Sequence, residues 1–155
     1  MRQGSLPSVL LIAACAISLG AFAQDAPRPA APPTCPSSAQ DLPVDALYGT
    51  WEARFDGVPG IAVVQLARHP DYAGVKGTIT RGGDDAPRTT AELAGDIDDD
   101  GVLAIDESQD GRTISGTWSG ELRAGSCGRE FRGAWRNAAD DSTRSFVLNK
   151  TGSSQ

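Results

Sequence analysis

The sequence predicts an all-β fold, an eight-stranded antiparallel up-and-down meander barrel, with a β-sandwich as the alternative. Three observations carry this. From about Asp41 to Lys150, short apolar/polar alternations recur between clusters of Gly, Asp, Asn and Pro. Helical periodicity is confined to a single turn around Val44–Leu47. The connections are all short, so consecutive strands should be antiparallel neighbours, and eight of them can close without leaving free edges.

Taken in order, strands are expected at roughly 47–55, 60–68, 73–81, 89–98, 102–107, 112–122, 128–137 and 143–149. The first carries Gly49-Thr50-Trp51, and the third its cousin Gly77-Thr78-Ile79. In the fourth and fifth, Leu93 and Ile97, then Leu103 and Ile105, face inward across the turn Asp98-Asp99-Asp100-Gly101. The sixth is the clearest. Ile114, Gly116, Trp118, Gly120 and Leu122 share one face, and Thr, Ser and Glu occupy the other, as in a half-buried antiparallel strand. The seventh repeats the pattern as Gly133-Ala134-Trp135, and the eighth runs through Arg144 to Leu148. Gly and Trp two apart share the inner face, where a strand glycine leaves room for a bulky neighbour on the adjacent strand. Trp51, Trp118 and Trp135 therefore either fill the barrel or line a pocket for an apolar ligand, and packing is the favoured reading.

The start of the chain speaks to its address. Arg2, an apolar run from Val9 to Phe22, and Ala21-Phe22-Ala23 read as a signal peptide over residues 1–23, with the mature chain beginning at Gln24. That run is too short and too rich in small residues to span a membrane. Export to the periplasm or the medium is the expectation. Ile12-Ala13-Ala14-Cys15 resembles a lipobox, which makes a lipoprotein anchored at Cys15 the alternative. Residues 24–40 form a Pro/Ala-rich tether, 41–150 the barrel domain and 151–155 a disordered tail.

Removal of the signal leaves two cysteines, Cys35 and Cys127, expected to form one disulfide in an oxidising compartment. It closes a loop of about 90 residues, which chain entropy values at on the order of 4 kcal/mol. The whole chain carries 14 basic against 20 acidic side chains. Without Arg2 this becomes 13 against 20, a net charge of −7. Such a balance argues against nucleic acid and anionic membrane surfaces as partners.

Leu47-Tyr48-Gly49-Thr50-Trp51 resembles the opening of the calycin barrels, the lipocalins, avidins and their small bacterial relatives, which often begin their first strand with G-x-W. The resemblance covers about residues 41–150 and implies an up-and-down barrel. It also implies that Trp51 packs beneath an arginine of the last strand, for which Arg144 is the match. Small periplasmic inhibitors of secreted metalloproteases are similar in size and in the G-x-W start. Their disulfide lies within the barrel, whereas Cys35 precedes it.

One stretch matches a metal site letter for letter. Asp96, Asp98, Asp100, Gly101 and Glu107 occupy the first, third, fifth, sixth and twelfth positions of an EF-hand loop. The flanking helices such a loop requires are missing from the pattern: Gly95 ends the upstream segment, and Ser108–Arg112 is a turn. Read as β, Asp98–Gly101 is a hairpin turn and Glu107 lies down a strand, out of reach of the cage. Calcium at Asp96, Asp98 and Asp100 is thus a secondary expectation, of the weak kind; no other cofactor is implied.

Catalytic constellations are not evident. His69, the only histidine, sits in the turn Arg68–Tyr72 and reads as a solvated loop residue. Arg123, Arg129, Arg132 and Arg136 flank Cys127 and form either a partner-binding patch or pairs with Glu121 and Glu130. The expected function is a non-catalytic, exported binding module for a small apolar ligand in the barrel mouth or for an envelope protein. The alternative is an inhibitor of a secreted hydrolase that uses residues 34–41. Behind both stands an enzyme built on carboxylates such as Asp71, Asp106 and Glu107.

Overall fold

The computed structural model describes residues 35–83 and 86–153. The signal peptide, Cys15, Gln24 and the tether as far as Thr34 lie outside these residues. Eight strands follow one another: β1 (Gly49–Phe55), β2 (Ala62–Arg68), β3 (Val75–Gly83), β4 (Ala86–Ile97), β5 (Val102–Ser108), β6 (Ile114–Leu122), β7 (Glu130–Asn137) and β8 (Thr143–Ser153). Each pairs antiparallel with the next, and β1 pairs with β8, closing the barrel in simple up-and-down order. The chain is all-β. Its only described helical segments are two 3₁₀ turns, Ala39–Asp41 and Val44–Leu47.

The alternation read from the sequence becomes an inside and an outside. Trp51 and Ala53 of β1, Val64 and Leu66 of β2, Leu103 and Ile105 of β5 and Phe131 of β7 are buried in one continuous core. The closed end of the barrel is sealed by the second 3₁₀ turn, whose Leu47 is fully buried. Glycines admit the large side chains. A Cβ on Gly120 would stand 2.8 Å from Phe146 Cζ, and one on Gly116 would collide with the Trp135 indole. In the β4–β5 hairpin, Gly101 takes φ +79°, a conformation glycine adopts without a Cβ penalty.

Two expected boundaries move. The β8 strand continues to Ser153 instead of ending near 149, because Gly49 and Thr50 of β1 offer ladder partners to Ser153 and Gly152. The tether also ends early. Cys35 is disulfide-bonded to Cys127. Ser38 caps a 3₁₀ turn by accepting from Gln40 N at 3.2 Å, and Ala39 is buried. Gln40 Nε2 donates to the Asp99 carbonyl, so residues 35–40 pack on the closed end.

Candidate functional site

In an antiparallel meander the ends of odd strands and the starts of even ones meet at the same rim. Here that rim gathers Phe55 (β1), Arg81 (β3), Glu107 (β5), Trp118 (β6), Trp135 (β7) and Phe146 (β8). Register sets the alignment: Glu107 lies opposite Gly116, and Trp118 opposite Trp135. Glu107 follows Leu103 and Ile105 on the inner face of β5, so period two carries a carboxylate into the core.

Glu107 is only 1% exposed. Arg81 Nη1 and Nη2 donate to its Oε1 and Oε2 at 2.6 and 2.7 Å. The indole N–H groups of Trp118 and Trp135 both donate to Oε2 at 3.1 Å. Four donors thus meet one carboxylate, and no buried side-chain polar atom among the described residues lacks a partner. This satisfaction is what makes a buried charge tolerable, since an unpaired one would cost several kcal/mol, about 3–5. The Arg81 guanidinium is held from the sides as well, its Cζ 5.2 Å from the centre of the Phe55 ring and 5.8 Å from that of Trp135. Phe55 meets Trp118 edge-to-face at 5.0 Å, and Trp118 meets Phe146 at 4.8 Å, forming an aromatic wall beneath the rim.

Above this floor lies a cavity of about 450 Å³, lined by Arg81, Thr89, Thr90, Ala91, Glu107, Gln109 and Trp135. A second depression of about 620 Å³ adjoins it, sharing Gln109 and Trp135. The β5–β6 turn that carries Gln109 is braced by Asp110, which accepts from the backbone N–H of Arg112 and Thr113 at 2.8 and 2.7 Å. Those bonds hold its carboxyl down at about 2. No protein-family model matches this chain, and neither does any curated protein or solved structure. The geometry therefore stands by itself.

The residues singled out from the sequence are scattered by the fold. Trp51 lies at the closed end, where its N–H donates to the Leu47 carbonyl at 2.8 Å and its ring tilts against Phe131 at 5.8 Å. The cation above it is Lys150 and not Arg144. Antiparallel register puts Lys150 beside Trp51, with Nζ 5.4 Å from the ring and 2.6 Å from the Ala46 carbonyl. Arg144, six positions earlier on β8, is carried to the opposite rim beside Trp135.

Asp98–Gly101 is a hairpin turn. Asp98 Oδ1 accepts from Asp100 N at 3.0 Å and Val102 N at 2.8 Å, which engages that oxygen within its own loop. Asp96 lies opposite Ala104, and Glu107 is inside the far end of the barrel, so the linear motif is pulled apart. No trio of acidic, His or Cys side chains placed to hold a metal occurs among the described residues.

The arginines near Cys127 are engaged locally. Glu130 takes Arg123 at 3.0 Å and Arg132 at 2.6 Å, while Arg136 pairs with Asp141 at 2.7 Å. Burial works to raise the Glu130 carboxyl, and its hydrogen bonds from Arg132 and Arg123 outweigh this to hold it below its ordinary value. Arg129 donates to the Lys150 carbonyl at 3.3 Å. His69 stacks on Tyr72 at 3.8 Å, and its Nδ1 accepts from Asp71 N at 3.2 Å. Asp71 and Asp106 are exposed, whereas Glu107 is buried inside the barrel, so the three carboxylates do not face one cleft.

Arg81 and the interior role of Glu107 escaped the sequence reading. The signal was present: Gly77, Ile79 and Arg81 continue one alternation, as do Leu103, Ile105 and Glu107. Two opposite charges at inward positions near strand ends mark a polar centre inside a barrel.

Proposed function

We propose that this chain is a non-catalytic, exported binding module that takes a small, largely apolar ligand at the open mouth of the barrel. One observation carries the reading: a fully hydrogen-bonded Glu107–Arg81 pair forms the floor of a cavity that has the Trp135 indole as one wall. A buried ion pair adds little stability over well-packed apolar residues. Fixed polar groups at the base of a concavity, beside a flat indole, are by contrast what a small-molecule site uses to orient its ligand. The Glu107 carboxylate is engaged by four donors, which suits a structural anion better than a proton-transferring base. The signal-like N-terminus and the Cys35–Cys127 disulfide support export. The similarity of the G-x-W opening to calycins supports a ligand-binding role in the same direction.

The inhibitor reading has less behind it. Residues 35–41 are stapled and packed on the closed end, where a segment entering a target's cleft would need to project. An envelope-protein partner at the arginine patch is weakened by the local pairing of Arg123, Arg132 and Arg136.

The test is a titration with phenylnaphthylamine, a neutral fluorescent hydrophobe. Saturable enhancement is expected, with a dissociation constant on the order of micromolar, and Thr89→Trp, which fills the cavity from its rim, should abolish it without lowering Tm. The absence of saturable binding, or binding unaffected by Thr89→Trp, would overturn the proposal.

A further inference from the structure

We infer that the mouth selects a flat, neutral molecule presenting a hydrogen-bond acceptor, such as an aryl ketone, over both its anionic and its purely hydrocarbon counterparts. This rests on the mouth being the ligand site. Arg81 spends its two terminal nitrogens on Glu107, one bond to each oxygen. Among the described residues its Nε makes no hydrogen bond, and its side chain remains 28% exposed where it lines the cavity. A guanidinium has five N–H donors in a rigid plane, so an end-on pair leaves donors along its remaining edges. The bidentate grip and the flanking Phe55 and Trp135 rings fix the direction of that plane before a ligand arrives.

Charge decides what these donors prefer. Glu107 already neutralises Arg81, so an entering carboxylate would gain little from the cation and would meet a buried negative charge behind it. A cation is refused for the converse reason. The Glu107 oxygens are already occupied, and the group facing the cavity is itself positive. A neutral acceptor escapes both penalties and satisfies donors that a hydrocarbon would leave dry. The indole of Trp135 supplies a flat wall, and about 450 Å³ accommodates a two-ring molecule.

Acetonaphthone, naphthoate and ethylnaphthalene are near-equal in size and differ at the group that would meet Arg81. Titration of each into the oxidised protein, followed by the indole N–H resonances, should give the ketone about a tenfold tighter dissociation constant than either of the others, the worth of one good hydrogen bond. Arg81→Lys keeps a cation beside Glu107 and loses the planar edge. It should reduce the preference for ketone over hydrocarbon to less than about threefold. Naphthoate binding most tightly, or ethylnaphthalene equalling the ketone, would overturn the inference and leave the mouth as a binding site. If none of the three moves the Trp135 resonance, the binding-site reading falls and this inference with it.

Discussion

The two ends of the barrel place an indole beneath a cation in different ways. At the closed end, Trp51 donates to a backbone carbonyl, that of Leu47, and lies under Lys150, whose ammonium in turn donates to the Ala46 carbonyl. Both of these acceptors belong to the main chain, whose polar groups must be satisfied wherever they are buried. At the open end, Trp118 and Trp135 donate to the Glu107 side chain, and the cation over Trp135 is bonded to that same carboxylate. Nothing about closing a barrel demands that carboxylate. A neutral amide oxygen at position 107 could accept from both indoles, and the barrel would close without an ion pair. On the proposed function, the closed end serves stability and the open one recognition.

The largest expected effect strikes the closed end. Replacing both disulfide cysteines, Cys35→Ser with Cys127→Ser, should cost about 4 kcal/mol and lower Tm by roughly 15 °C in a thermal melt. A loss confined to a degree or two would mean that the staple contributes nothing to the seal. Next comes the open end, where two substitutions should differ sharply. Glu107→Ala deprives Arg81 and the Trp118 and Trp135 N–H groups of their acceptor and should cost about 3 kcal/mol by urea unfolding. Changing both partners, Glu107→Gln with Arg81→Met, keeps an oxygen for the two indole N–H groups and should cost less than about 1 kcal/mol while abolishing the preference for ketone over hydrocarbon. If the double variant is as unstable as the single one, the polar centre is structural and the contrast between the ends disappears.

Smaller effects refine the picture. Lys150→Met removes the hydrogen bond to Ala46 and the cation over Trp51. It should cost about 1 kcal/mol in the same unfolding assay and leave mouth binding untouched. Asp110 separates the ends by pH. Its native carboxyl is lowered to about 2 by backbone hydrogen bonds, so its contribution is fully present above its ordinary value and is lost as pH falls through about 2. On acidification, amide exchange over residues 109–113 should therefore rise before that of the closed end. Equal loosening at both ends would contradict the assignment of Asp110 as the brace of the mouth.

The barrel was legible in the sequence because strand alternation is a local signal that closure does not disturb. Leu103 and Ile105 point inward whatever their neighbours do. What was missed depends on register between strands distant in sequence. The choice of Lys150 instead of Arg144 as the cation over Trp51 follows from how β8 aligns with β1, which no local pattern specifies. The packing of residues 35–40 depends on Asp99 and Cys127, both far along the chain. Glu107 was obscured for another reason. A calcium-loop spacing claimed it as a twelfth ligand, and the same residue's place in the alternation Leu103, Ile105, Glu107 was the physically stronger signal.

The division between the two ends is tested most directly by following the three indole N–H resonances as phenylnaphthylamine is added to the oxidised protein. Each tryptophan reports one location: Trp51 the closed end, Trp118 the wall, Trp135 the cavity. The account predicts that Trp135 shifts most, Trp118 less through their shared carboxylate, and Trp51 not at all. A shift of Trp51 comparable to that of Trp135, or saturable binding that moves neither Trp118 nor Trp135, would contradict it.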